Sequence, residues 1–232
     1  GVPVLTAVPC VFYNREYRDL IESALSGKGF WECLDSAKSN MKQDSFGFDS
    51  FFLNGCNIFK FFTAAGGLDS HAYTEEFIVK NSKLFGNFIK RFSDYFLDRT
   101  VFSPMSVAGG EKEKHSFLQE KAPALLGPCS WIKGLTETCG FNFGIKPFPR
   151  QNTGLLMGAA NVNAVHSSTR FPEECFRFLN FLTSVDVQKI FAANGRFTAN
   201  RTANMDFEYP GIDKQEMREF MCEFDRACIV PT

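Results

Sequence analysis

The chain has 232 residues, of which 44% are hydrophobic and 22% charged, and its formal net charge is −1. A chain of this length can bury a substantial core, as one large domain or two small ones. The near-neutral charge and the lack of a Lys- and Arg-rich run argue against contact with nucleic acid. No apolar run approaches the roughly 20 residues that a membrane helix needs.

The eight cysteines favour free thiols over a disulfide framework. No two of them lie closer than six positions and the sequence has no CxxC motif, so close pairs of zinc ligands are missing as well. Free, buried cysteines favour a reducing compartment. The first residues lack the basic start and long apolar stretch of a signal peptide, which fits a cytosolic protein or one whose signal has been removed.

The first half of the chain is predicted to be mostly helical. Most of the chain's 28 phenylalanines are predicted to fill a core. Residues 2–12 have an extended pattern rich in Val and Leu around two prolines. Apolar residues at helical spacing then predict helices over 14–25, 31–41, 49–65 and 73–97.

The second half alternates short strands with helices. After a loop over 101–110, the patterns predict a helix over 112–120 and strands over 124–126, 141–148 and 155–165. Pro172 and Ser184 mark the starts of two helices, and Gly195 marks an end. A last helix is predicted from Asp213, with Glu216 at the capping-box position. Short strands with longer helices indicate an α/β or α+β class.

The motifs of enzyme chemistry are missing from the sequence. It contains no GxSxG, no GxxxxGK[ST], no GxGxxG and no HExxH. His71, His115 and His166 are far apart and lie at no ligand spacing, so they are interpreted as surface or structural residues. We therefore expect no catalytic residues, no metal and no cofactor.

Several landmarks over residues 117–199 occur in the order and spacing of one family. They are Phe117–Ala122, Leu126–Trp131, Phe143–Pro149, and Phe178–Ser184 followed by Gln188 and Asn194-Gly195; upstream, Val11–Glu16 and Phe30–Leu34 add two more. Together they resemble the family 1 extracellular solute-binding proteins, the sugar-binding, maltose-binding-protein-like components of ABC transporters. Glu120 stands where the family usually has glycine.

The resemblance implies an α/β fold of the periplasmic-binding-protein-like type II, with two lobes. The family begins with a further segment that completes the first lobe, so one lobe is expected to be incomplete here. Residues 1–157 are assigned mainly to the second lobe, residues 158–198 to a strand and helices that return to the first lobe, and residues 199–232 to a segment packing back near the second lobe.

The resemblance also suggests ligand contacts in the cleft between the lobes, where rings and polar groups meet a sugar. Tyr13 falls at the family's Tyr-Asn position and Trp131 near its cleft tryptophan, although a shift of two positions would put Cys129 there. Asn161, Asn163 and Arg196 complete the predicted ligand-binding set. Trp31 matches a packing position.

The family's usual role implies a periplasmic or extracellular sugar-binding protein, or a membrane-attached lipoprotein, whose partners include ABC permease subunits. The alternative is a cytosolic sugar-sensing domain of a transcriptional regulator, which the cysteine count and the missing signal favour. A degenerate domain that binds no ligand is the third alternative. The segment itself is expected to contact no nucleic acid and to span no membrane.

Overall fold

The computed structural model of the chain describes residues 1–25, 29–40, 47–50, 53, 58–66, 79–98, 101–103, 115–151, 154, 156–206, 208–209, 211–224 and 227–231. Strands within these ranges are β1 (Val2–Ala7), β2 (Pro9–Asn14), β3 (Phe48–Ser50), β4 (Ala124–Pro128), β5 (Phe143–Pro147), β6 (Met157–Asn163) and β7 (Cys228–Pro231). The helices are α1 (Arg18–Leu25), α2 (Phe30–Asn40), α3 (Ile58–Ala64), α4 (Ser82–Leu97), α5 (His115–Leu118), α6 (Ile132–Thr138), α7 (Pro172–Thr183), α8 (Val185–Ala193), α9 (Arg201–Asp206) and α10 (Lys214–Phe224).

The strands form two sheets. In the small sheet the order is β1-β6-β7, with β1 antiparallel and β7 parallel to β6. In the large sheet the order is β3-β4-β2-β5, with β2 antiparallel to both of its neighbours and β3 parallel to β4. The chain passes from one sheet to the other at several points. For example, β1 and β2 are consecutive in sequence but lie in different sheets.

A single residue, Val8, separates β1 from β2. Val8 is fully buried. Its carbonyl oxygen accepts a hydrogen bond from the Cys129 amide at 2.9 Å, and its own amide donates to Cys129 Sγ at 3.3 Å. The crossing between the sheets is therefore held against the end of β4, where the chain leaves the large sheet.

The core lies mainly around the large sheet. Every residue of β2 is buried, and phenylalanine rings from four segments pack together beside the sheet. Phe61 has ring centroids of Phe30, Phe92 and Phe102 within 5.1–6.0 Å. The prediction that phenylalanine serves as packing material is confirmed for this cluster. Trp31 packs at its edge, as expected of a structural residue.

The mixed α/β composition is confirmed, with one wrong element. Residues 49–65 were expected to form one helix, but Phe48–Ser50 is a strand paired with β4 and the helix begins at Ile58. All three residues of β3 are buried, and a fully buried strand has no apolar period that separates it from a helix. The predicted segments 73–78, 104–110 and 112–114 lie outside the described residues.

Helical spacing predicts Cys175, Phe176, Leu179 and Leu182 as the buried stripe of α7, and the structure bears this out only in part, since Cys175 and Leu182 are half-buried. Leu179 is buried, but Phe176 is 58% exposed, and Phe171, Phe178, Phe181 and Ile190 are exposed to a similar extent. The helix is apolar on more than one side, so its periodicity could not say which side packs. Exposed large apolar residues are thus found on both α7 and α8.

The structure places the three predicted chain segments as follows. Strand β1 pairs with β6 in the small sheet, so residues 2–7 lie with the segment predicted to return to the first lobe. Helix α10 packs along β5 of the large sheet, while β7 pairs with β6. The division into lobes thus follows the sheets more closely than continuous stretches of sequence, and the boundaries at 157 and 198 stay a prediction.

Gly86 offers a direct test of the α4 assignment. It is exposed within this helix, and a Cβ built there would have no atom within 4 Å. We expect Gly86→Ala to raise the free energy of unfolding by about 1 kcal/mol, because alanine loses less backbone entropy in a helix. Urea denaturation measures this change. Gly144→Ala is the matched control: its Cβ would lie 2.5 Å from Tyr13 Cζ, so it should destabilise. Equal effects would contradict the assignment.

Candidate functional site

A cavity of about 400 Å³ lies between the segment that follows β4 and the end of α8. It is lined by residues from only two stretches of chain: Ser130, Trp131, Lys133, Gly134, Glu137, Asn194, Gly195 and Arg196. The first stretch leaves the large sheet. The second joins the small sheet, since the Thr6 amide donates to Phe197 O at 2.9 Å and Leu5 bridges to Thr198. The cavity therefore lies between two segments, one attached to each sheet, and has a volume typical of small-molecule sites.

One wall is a single helical face. A 3-10 turn over Cys129–Trp131 leads directly into α6. Ser130, Lys133, Gly134 and Glu137 follow the i, i+3, i+4, i+7 spacing that puts residues on one side of a helix. Gly134 has no side chain, so the middle of this helical face leaves room for the cavity between the polar side chains on either side.

The other wall depends on the end of α8. Gly195 follows the helix with φ +72, the left-handed conformation that glycine adopts without strain, as the predicted C′ residue should. A Cβ at Gly195 would lie 2.4 Å from Lys133 Cβ. The absence of a side chain there lets the stem of Lys133 pack against the helix end. Arg196 follows immediately and lines the same cavity.

Trp131 is held by a second close approach. A Cβ at Gly127 would lie 2.9 Å from Trp131 Cε3 and 3.1 Å from Cζ3, so the six-membered ring lies against the β4 backbone. The half-buried ring also lines the cavity. Cys129, the alternative that a shift of two positions would select, is fully buried and absent from the lining.

Tyr13 lies elsewhere. It is fully buried on β2, its ring lies over Gly144, and its hydroxyl donates to Glu216 Oε1. Burial, followed by the hydrogen bond with Glu216, raises the pKa of Tyr13 to about 12, so the phenol is protonated at neutral pH. The structure thus gives Tyr13 a partner in the core and no access to the cavity, and we do not carry it into the proposed site.

The two asparagines of β6 do not line the cavity either. Asn161 and Asn163 are exposed and pair in register with Leu5 and Val2 of β1. Of the five residues that the sequence suggested, the structure brings together Trp131 and Arg196. Reasoning from sequence missed Ser130, Lys133, Glu137 and Asn194. The helical spacing after Trp131 was the available signal for the first three.

Cys10 and Cys129, which lie where the chain crosses between the sheets, are unreactive thiols. Burial raises the pKa of Cys129 to about 12, and burial followed by the proximity of Cys129 raises the pKa of Cys10 well above its ordinary value. Cys10 Sγ donates to Gly127 O at 3.3 Å. Cys10 and Cys129 are free thiols, and both are fully buried. Thiols held protonated in this way are poor nucleophiles.

Within the described ranges, no three His, Cys, Asp or Glu side chains come together as a metal site. No helix in that part of the chain is both long and apolar enough to cross a bilayer. His166 is exposed and contacts Ser168 Oγ through Nδ1 at 2.8 Å, whereas His71 and the side chain of His115 lie outside the description.

The chain passes between two sheets, and the cavity is lined by one segment attached to each of them. No protein-family model and no curated protein sequence matches the chain. Solved structures do match over nearly its whole length. They are sugar-binding proteins of ABC transporters and related extracellular solute-binding proteins.

Three of these structures illustrate the likeness. An ABC substrate-binding protein from Listeria monocytogenes, in complex with cycloalternan, is 15% identical with a TM-score of 0.67 and covers 99% of this chain and 61% of its own. The Thermus thermophilus maltotriose-binding protein, bound with maltotriose, is 16% identical at 0.62 and covers 100% and 61%. An extracellular solute-binding protein from Staphylococcus aureus, in complex with maltose, is 13% identical at 0.63 and covers 99% and 59%.

These likenesses confirm the predicted fold class, the periplasmic-binding-protein-like α/β fold with two lobes. They also confirm, at the level of the fold, the resemblance to family 1 solute-binding proteins. The chain spans about three-fifths of the length of the matched proteins, which is consistent with the expected incomplete lobe.

Proposed function

We propose that the cavity between α6 and the end of α8 binds a carbohydrate, with Trp131 and Arg196 as its principal contacts. The observation that carries this proposal is that these two residues, 65 positions apart in the sequence, line one cavity between segments attached to different sheets. The binding of sugars by proteins with the same fold supports it.

The chemistry of the lining suits a sugar. A pyranose has apolar C–H patches on its faces and hydroxyl groups around its edge. The indole of Trp131 offers a flat apolar surface to the C–H patches. Because the ring packs against Gly127, it loses little conformational entropy when a ligand binds. Ser130, Glu137 and Asn194 offer donors and acceptors for the hydroxyls.

The wider role follows from the same proposal. A binding protein of this fold delivers its solute to the permease of an ABC import system and works in the periplasm or outside the cell. No reaction is part of this function, and the free cysteines near the crossing, with their raised pKa values, supply no nucleophile. The structures with the same fold are named as binding proteins.

Replacing the ring should remove binding. We expect Trp131→Ala to weaken the affinity for a maltodextrin or other matched oligosaccharide at least about thirtyfold, since a stacking aromatic anchor dominates such a site. Isothermal titration calorimetry on the complete chain, after a thermal-shift screen of a carbohydrate panel, measures the loss.

Trp31→Phe is the matched control, because Trp31 is the other tryptophan of the chain and packs at the edge of the core, away from the cavity lining. It should leave the affinity within about twofold and make Trp131 the sole indole reporter. If Trp131→Ala binds a sugar as tightly as the unmodified protein, the cavity is not the binding site.

A further inference from the structure

The cavity is electrically asymmetric. Its lining carries two cationic side chains, Lys133 and Arg196, and one carboxylate, Glu137. The whole chain, by contrast, has 25 basic and 26 acidic residues. A local excess of positive charge in a nearly neutral protein indicates a partner of opposite sign.

These charges have no ion-pair partner among the residues that the structure describes. The basic residues along β5 behave differently: Lys146 lies 3.4 Å from Glu219, and Arg150 lies 2.9 Å from Glu223. Lys146 and Arg150 are thus paired with carboxylates of α10. Lys133 and Arg196 line the cavity without an ion pair in the described part of the chain.

The backbone brings the two cations together. Lys133 projects from α6 and packs its stem on Gly195, and Arg196 is the next residue. They therefore line one cavity from its two walls although their charges are alike. An acidic group that lies between them would offset both charges, and the planar guanidinium of Arg196 can hold a carboxylate or sulfate through two parallel hydrogen bonds.

We infer that the ligand is a carbohydrate bearing an acidic group, a carboxylate or a sulfate, that lies between Lys133 and Arg196 while a sugar ring packs on Trp131. This inference rests on the proposed function. Glu137 one helical turn from Lys133 would repel a second acidic group, so the site favours one negative charge beside free hydroxyls over a densely charged polyanion.

Calorimetry with three closely matched sugars tests the charge. Galacturonate, which carries a single carboxylate, its methyl ester and maltotriose are titrated into the complete chain, with galactose 6-sulfate against galactose as the sulfate arm. We expect the acid to bind at least about tenfold more tightly than its ester, and the difference to shrink as salt is raised. The arm that shows the larger ratio identifies carboxylate or sulfate.

Variants assign the effect to residues. Lys133→Gln and Arg196→Gln should each weaken binding of the acidic sugar about tenfold more than binding of its ester, whereas Arg177→Gln on exposed α7 should change neither. Tight binding of maltotriose or the ester that depends on Trp131, with no gain for the acid, overturns this inference and leaves the proposed function standing. Binding of inorganic sulfate as tightly as of galactose 6-sulfate, or no binding of any sugar, overturns both.

Discussion

Replacement of Glu216 by alanine should destabilise the protein by about 3 kcal/mol. The Glu216 side chain is only 7% exposed, and its carboxylate meets Arg15 at 2.8 Å, Arg18 at 3.1 Å and the Tyr13 hydroxyl. Its removal leaves two guanidinium groups and one buried hydroxyl without this acceptor, and the loss of one partner of a buried charge network is costly. Partial exposure of the arginines keeps the effect at the lower end of the range for buried pairs.

Glu219→Ala is the matched control on the same helix. Glu219 pairs with Lys146 at 3.4 Å, but its side chain is 44% exposed, so its removal should cost no more than about 0.5 kcal/mol. Midpoints of urea denaturation, compared at equal slope, give both values. Tyr13→Phe, which removes a single hydrogen bond to Glu216, should fall between them at about 1 kcal/mol. Equal losses for the two glutamates would refute the role given to Glu216.

The same network explains how α10 is positioned. Glu216, Glu219 and Glu223 recur at helical spacing and meet basic residues that lie after β2, in β5 and just after β5. Arg15 and Arg18 meet the first, Lys146 the second and Arg150 the third. A shift of α10 by one turn would mismatch all three glutamates, so these pairs set its register against β5.

Gly195→Ala should cost about 3 kcal/mol and abolish sugar binding. At φ +72 an L side chain is strained by about 1–2 kcal/mol, and the new Cβ would lie 2.4 Å from Lys133 Cβ. Because a Cβ atom is fixed to its backbone, either α6 or the end of α8 must move, which adds the cost of overpacking. The movement separates the two walls that hold Trp131 and Arg196, and calorimetry with the ligand of the unmodified protein measures the loss.

Gly211→Ala separates the backbone strain from the collision with Lys133. Gly211 has nearly the same backbone angle, φ +79, but a Cβ there would have no atom within 4 Å. It should therefore cost only the conformational part, about 1 kcal/mol, and leave sugar binding unchanged. The collision with Lys133 is disproved if Gly195→Ala is no more harmful than Gly211→Ala.

Glu216 shows why part of the structure could not be predicted from the sequence. Its position three residues after Asp213 predicted a capping box, and Asp213 Oδ1 does accept from the Gln215 amide at 2.8 Å. The Glu216 carboxylate instead reaches residues about 200 positions earlier in the chain. Local spacing can propose a cap, but it carries no information about a partner that folding brings from the other end of the chain. The hydrogen bond between Tyr13 and Glu216 could not be predicted for the same reason.

The sequence by itself determined most of the elements, and the order of its motifs indicated the fold. Pro172, Ser184 and Gly195 marked helix boundaries because proline, serine and glycine favour particular backbone geometries at helix ends. Only the tertiary structure decided which side chains meet, namely that Trp131 and Arg196 share a cavity while Tyr13 is sealed in the core. Element boundaries depend on neighbouring residues, whereas a binding site depends on distances between segments that are remote in the chain.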